Sequence, residues 1–246
     1  MIVSAKLFID DMRDLNNRRR AILFDLDGTL INTTDLILRC FEHSWLSVCG
    51  LEHSREALIG TFGIPLREAM RRLMLEATGV RPVCEIEREM DLIELLLTEY
   101  RAFNVANHDL MACPFDGTEQ VIKELHARGY LIGVVTSKGR ELALRGLRLC
   151  SPDMNIGGLI DAAIFLEDTD KHKPQPEPIL AALERLNALP SCSAYIGDSN
   201  HDIIAGRRAG VQTVAALWGP FPRAVLERER PDYFAESMTE LLEIFR

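Results

Sequence analysis

Residues 21–34 read AILFDLDGTLINTT. Ala21, Ile22, Leu23 and Phe24 form the continuous apolar run of a strand buried on both faces. The run ends on Asp25 and Asp27, two like charges one residue apart, with Gly28 and Thr29 directly behind. Burying unpaired carboxylates is expensive, so something must compensate. One reading is a hairpin, because Asp-Gly is a favoured two-residue turn and ILFDL and TLINT can flank it. The other is that a cation and a phosphate sit where the strand ends.

Along the chain, two textures alternate. From residue 113 to the end, short apolar runs are separated by helical stretches. The strand candidates are YLIGVV (130–135), AAIFL (162–166), SAYIG (193–197), TVAAL (213–217) and DYFAE (232–236). Between them lie the helical periods of 116–129, 140–149, 176–189 and 200–210, with Gly129 placed as a C-terminal stop for the first. Strands alternating with helices predict a parallel sheet covered by helices on both faces, an α/β fold. Residues 33–112 differ: TDLILRCFEHSWLSV, SREALIGTF, PLREAMRRLMLEATG and EIEREMDLIELLLTEYRAF are helical in period, with Pro65 at a first turn and Gly79 as a stop. The expected organisation is an N-terminal extension (1–20), a core made of 21–32 and 113–246, and a helical insertion over 33–112.

The 246 residues suit one large domain or a domain with an insertion. A net charge of −9 argues against a nucleic-acid partner, which wants a basic stripe; NNRRR (16–20) reads as a solvated lead-in to the first strand. No apolar stretch approaches the length that spans a bilayer, so no membrane partner is expected. MIVSAKLFIDDMRD at the N-terminus carries acids where a signal peptide needs a clean apolar region. The six cysteines form no CxxC pair and read as thiols of a reducing compartment, which predicts the cytoplasm.

In an open parallel sheet, ligands bind beyond the carboxyl ends of the strands. Asp25 and Asp27 stand there after the first strand. Thr136, Ser137 and Lys138 follow LIGVV, Lys171 and Lys173 lie in the loop after AAIFL, and Asp198, Ser199 and Asp202 follow SAYIG. These residue types fit phosphoryl transfer. A carboxylate can attack phosphorus and hold it as an aspartyl-phosphate, and Asp25 is placed for that. Asp27 points to the same side of an extended chain, placed to give a proton to the leaving oxygen and later take one from water. Clustered carboxylates call for a hard cation, Mg2+, with Asp198 as a direct ligand and Asp202 supporting it. Thr136 and Lys173 would cradle the phosphate oxygens. Taken singly, TSK is an ordinary helix N-cap, Lys173 a loop lysine, and GDSNHD a turn and cap with His201 exposed on the surface. Taken together, the order Asp-x-Asp, Thr, Lys, Asp-x-x-x-Asp at successive strand ends is hard to produce by packing needs.

FDLDGTL (24–30), VVTS (134–137), KPQPEP (173–178) and IGDSNHD (196–202) resemble the four motifs of the haloacid dehalogenase-like superfamily of phosphohydrolases. The resemblance covers residues 21–246 and implies a Rossmann-like core with an α-helical cap, as in the phosphoglycolate phosphatase-like branch and its related bacterial pyrophosphatases. It implies Asp25 as nucleophile, Asp27 as acid and base, and Gly28, Thr136, Ser137 and Lys173 as substrate-binding. Mg2+ would be held by Asp25, the backbone carbonyl of Asp27, and Asp198, with Asp202 assisting. GTFGIPLREAM (60–70) is similar to the loop that this branch lowers over the core site. Arg67 within it can reach a substrate carboxylate or second phosphate; its plain alternative is a solvated arginine beside Arg71 and Arg72. The cap joints fall near 32–35 and 110–116.

The expected activity is hydrolysis of a small phosphomonoester resembling phosphoglycolate, by a monomer or homodimer. Inorganic pyrophosphate as substrate and a sugar phosphomutase are the alternatives within the branch. A signalling receiver draws its acid pair and phosphorylated Asp from different strands and is about half this length. A dehalogenase has no use for the acid at Asp27. A silent scaffold would not fill every chemical position.

Overall fold

Ala21–Phe24 forms β1, and all four side chains are buried, Ile22 and Phe24 into the larger apolar cluster and Ala21 and Leu23 into the smaller one on the other face. Each of the larger side chains contributes roughly 1.5–3 kcal/mol when fully buried. The computed structural model describes residues 20–78 and 86–246. The N-terminal extension and the Gly79 helix stop therefore lie outside the described residues, apart from Arg20.

The chain continues through β2 (Ile31–Asn32) into α1 (Thr34–Cys49), α2 (Arg55–Ile59), α3 (Leu66–Thr78) and α4 (Ile86–Met111), and returns through β3 (Cys113–Pro114). There follow α5 (Thr118–Ala127), β4 (Leu131–Val135), α6 (Arg140–Cys150), β5 (Ala162–Ile164), α7 (Glu177–Leu186), β6 (Ala194–Gly197), α8 (Asn200–Ala209), β7 (Gln212–Ala216), α9 (Arg223–Arg228), β8 (Tyr233–Ala235) and α10 (Leu241–Ile244). The sheet runs β5-β4-β1-β6-β7-β8, parallel throughout, so the chain works outward from β1 to β5 and then starts again on the other side at β6. That reversal opens a crevice at the carboxyl end of β1, where such folds bind ligands.

The strands β2 and β3 pair antiparallel, Ile31 with Pro114 and Asn32 with Cys113, so the two chain crossings into and out of the helical segment are hydrogen-bonded together. Two residues per strand are too few to show a period, which is why the sequence reads these positions only as joints. The opening stretch is not a hairpin: β1 pairs with β4 and β6, and Gly28 turns the chain by donating its N–H to Ile31 O at 2.8 Å.

Within the helical segment, α1 and α4 pack through an edge-on contact of Phe41 and Tyr100, ring centroids 5.0 Å apart. Two links tie this segment to the sheet layer. Arg145 of α6 pairs with Asp109 near the end of α4 at 2.7 Å and donates to Val105 O at 3.0 Å. Ser137, beyond β4, donates its hydroxyl to Gly63 O at 2.8 Å. Among the described residues, no helix is long and apolar enough to cross a membrane.

Candidate active site

Asp25 extends the β1 ladder by one residue, its N–H donating to Ile196 O at 2.9 Å, and this sets its carboxylate in the crevice. Thr136 does the same after β4, donating to Ile164 O at 3.0 Å. Lys173 comes from the β5–α7 loop, Asp198 from the end of β6, and Asp202 from the first turn of α8. All five are buried. The Lys173 ammonium lies 2.9 Å from Asp25 Oδ1 and 2.7 Å from Asp202 Oδ1. Carboxylate oxygens of Asp25, Asp198 and Asp202 lie within 4.8 Å of one another.

Three buried carboxylates face one ammonium, and their proton affinities divide accordingly. Burial, with Asp202 nearby and against the pull of Lys173, pushes Asp25 up to about 7. Burial, with Asp202 and Asp25 nearby, pushes Asp198 well above the usual carboxylate range. Asp202 stays below that range: burial works against it, but Lys173 and the Ser199 hydrogen bonds outweigh burial. Lys173 is held above its ordinary value, because the two carboxylates outweigh its own burial. An all-oxygen donor set with surplus negative charge fits a hard divalent cation, and Asp25, Asp198 and Asp202 are the residues that would hold one.

Supporting groups fix each carboxylate. Thr29 donates to Asp198 Oδ1 at 2.9 Å. Thr33 and Lys138 donate to Asp27 Oδ1 at 2.8 and 2.7 Å. Asp202 forms a capping box with Ser199, accepting from its hydroxyl at 2.6 Å and its N–H at 3.0 Å. Tyr195 accepts from Lys173 at 3.1 Å and presents its own hydroxyl to Val135 O at 3.0 Å and Asp202 Oδ1 at 3.1 Å. The sequence reading assigns no role to Thr29, Thr33, Lys138 or Tyr195. Thr29 and Thr33 sit in the opening stretch and Lys138 beside Thr136, so proximity was a signal for them; Tyr195 reads simply as a strand residue.

Gly28 has φ +84°, and a Cβ there would lie 2.4 Å from Asp198 Oδ2. Gly28→Ala should therefore destabilise the fold by about 2 kcal/mol or more, from the strained backbone and the displaced carboxylate. A urea midpoint equal to that of the wild type would overturn this account of the turn.

A cavity of about 450 Å3 opens over the cluster, lined from the sheet side by Asp25, Asp27, Thr136, Ser137, Lys173 and Asp198. The helical segment supplies the opposite wall, including Phe41, Tyr100 and Asn104. Thus eight of the nine residues singled out in the sequence converge here: six line the cavity, Asp202 lies directly behind Lys173, and Gly28 abuts Asp198. Arg67 does not join them; it is outside the cavity wall and pairs with Glu94 of α4. Leu66, the first residue of α3, takes the position that faces the cavity. Arg67 follows about 100° further round the helix, on the flank where α4 offers a carboxylate. His201 is not the exposed surface residue expected, for it packs beneath the Gly63 turn, its Nδ1 is buried with no hydrogen-bond partner among the described residues, and burial lowers its pKa.

A parallel sheet with an acid cluster at its carboxyl edge, roofed by an inserted helical segment, defines an α/β enzyme with a covered acidic site. A sequence model of the haloacid dehalogenase-like hydrolases matches residues 22–216, and the chain belongs to that family. A putative pyrophosphatase PpaX of Caldanaerobacter subterraneus subsp. tengcongensis is 38% identical over 226 residues, covering 92% of this chain and 94% of the relative. The crystal structure of a putative haloacid dehalogenase-like hydrolase from Bacteroides fragilis superposes with a TM-score of 0.78 at 27% identity, covering 91% of this chain and all (100%) of that one. That of a putative phosphoglycolate phosphatase from Lactobacillus plantarum gives 0.75 at 26%, covering 93% and 100%. The protein is a phosphatase of this family, with the Rossmann-like core the sequence predicts.

Proposed function

We propose that the protein is a Mg2+-dependent phosphatase that hydrolyses a small organic phosphomonoester through an aspartyl-phosphate on Asp25. The observation that carries this reading is the buried Asp25 carboxylate, 2.9 Å from the Lys173 ammonium and grouped with Asp198 and Asp202 under a roofed cavity. Residues 33–112 act as the cap and 21–32 with 113–246 as the core.

An Asp25 oxygen attacks phosphorus and the bond to the leaving oxygen breaks, while Asp27 gives that oxygen its proton. Asp27 is suited to this, being the one carboxylate of the group that is not fully buried, with Thr33 and Lys138 holding its Oδ1 and leaving Oδ2 to carry the proton. Lys173 and the Thr136 hydroxyl hold the phosphoryl oxygens as charge shifts onto them. Water then attacks phosphorus, Asp27 takes its proton, the bond to Asp25 breaks and inorganic phosphate leaves. Bound Mg2+ would supply positive charge against the phosphate oxygens and against the carboxylates that hold it. The Gly63 turn, linked to Ser137, lines the cavity from the side of the helical segment. Such a reaction needs neither nucleic acid nor membrane and suits a cytoplasmic monomer or homodimer.

Inorganic pyrophosphate is the second reading, favoured by the name of the 38% identical relative. Phosphate release with Mg2+ from pyrophosphate, phosphoglycolate, sugar phosphates and nucleotides separates the two. The expected result is turnover of a monoester at higher kcat/KM than pyrophosphate; the reverse order would overturn the first reading in favour of the second.

A further inference from the structure

The cavity wall contributed by the helical segment combines apolar side chains with a single cation among the described residues. Ile37 and Phe41 of α1, Ile64, Leu66 at the start of α3, and Val105 of α4 give it its apolar part, beside Thr61, Tyr100, Arg101 and Asn104. At ~30 Å3 per water, the whole cavity of about 450 Å3, which must also take the transferred phosphoryl group over Asp25, has the room of roughly fifteen waters. Charged phosphate oxygens set against Phe41 and Ile64 would also lose hydration without gaining partners.

One cation on this wall has nothing to hold among the described residues. Lys138 and Lys173 line the cavity too, but both stand in ion pairs, with Asp27 and with Asp25 and Asp202. Arg101 lines the cavity from α4 and makes no hydrogen bond or ion pair among the described residues. It lies one turn before Asn104 and Val105 on the same helix, so an apolar strip and a free guanidinium share one face. Asn104 is itself buried, with its Nδ2 donating to Cys40 Sγ at 3.5 Å and its Oδ1 unpartnered among the described residues. A planar guanidinium forks onto a carboxylate or phosphate.

We propose that the leaving group is an organic alcohol with an apolar body of several carbons and an anionic group at its far end, the body lying on Phe41, Ile64 and Val105 and the anion gripped by Arg101. This rests on the phosphatase reading above and names the class of ester that the site selects. Arg101 is then a specificity-determining residue, the part the sequence assigns to Arg67.

The test compares initial rates, with Mg2+, on phenyl phosphate, 3- and 4-carboxyphenyl phosphate and pyrophosphate. In the wild type, a carboxyphenyl ester should show a KM about tenfold below that of phenyl phosphate, and pyrophosphate the lowest kcat/KM. Arg101→Ala should erase that KM advantage, raising KM on the carboxyphenyl ester about tenfold, and Arg101→Lys should restore part of it. Equal effects of Arg101→Ala on charged and uncharged esters would overturn the proposal, as would pyrophosphate being the best of the four; in either case Asp25-dependent hydrolysis would still stand. Absence of metal-dependent hydrolysis of all four would overturn both the proposal and the reading it rests on.

Discussion

Asp25→Asn should bring phosphate release to background, a fall in kcat on the order of 10^4-fold or more, as for loss of a covalent nucleophile. The amide is nearly the shape of the carboxylate and can still accept from Lys173, but it does not attack phosphorus. The loss should come without unfolding. Asp25 is one of three carboxylates facing a single ammonium, and burial already holds its proton on up to about 7. Removing its charge relieves repulsion with Asp198 and Asp202, so the thermal midpoint of the metal-free protein at pH 8 should equal or exceed that of the wild type. Retained turnover would sink the aspartyl-phosphate; lost turnover with a collapsed midpoint would point to a structural carboxylate instead.

The sequence made the core legible because its constraints are local. An apolar run ending in Asp-x-Asp-Gly puts Asp25 at a strand's carboxyl end wherever that strand falls in the sheet, and the same holds for Thr136 after β4 and Asp198 after β6. The topology then had only to place β4 and β6 on either side of β1, as it does. The helical segment was legible as helices, but not as a binding surface. Helical period assigns a face without saying what lies opposite, so Arg67, near the loop that covers the site, looked as well placed as any arginine. In the fold, Glu94 takes Arg67, and the arginine that reaches the cavity is Arg101, from a different helix. His201 misled for the same reason: the Gly63 turn that packs on it comes from the helical segment.

Chelation of divalent cations should abolish turnover and lower the thermal midpoint, and the drop should be larger at pH 8 than at pH 5.5. Without a cation, burial raises Asp25 to about 7 and Asp198 well above the usual range. A carboxyl whose pKa is higher in the folded than in the unfolded chain binds more protons when folded, so stability falls as pH rises between the two values. For Asp25 that window runs from the ordinary 3.8 to about 7. Asp202 acts in the opposite sense, since Lys173 lowers it, and its contribution is lost only on acidification below the usual carboxylate range. A cation needs the deprotonated ligands, so it competes with protons more strongly at pH 5.5 than at pH 8. With Mg2+ at about 100 times its Kd, binding adds roughly 2.7 kcal/mol to stability. Differential scanning fluorimetry with EDTA and with Mg2+ at the two pH values reads the gap directly. A gap equal at both would mean that the ion does not displace protons from Asp25 and Asp198, and that the charge the opening stretch places at its strand end is balanced by something other than a metal.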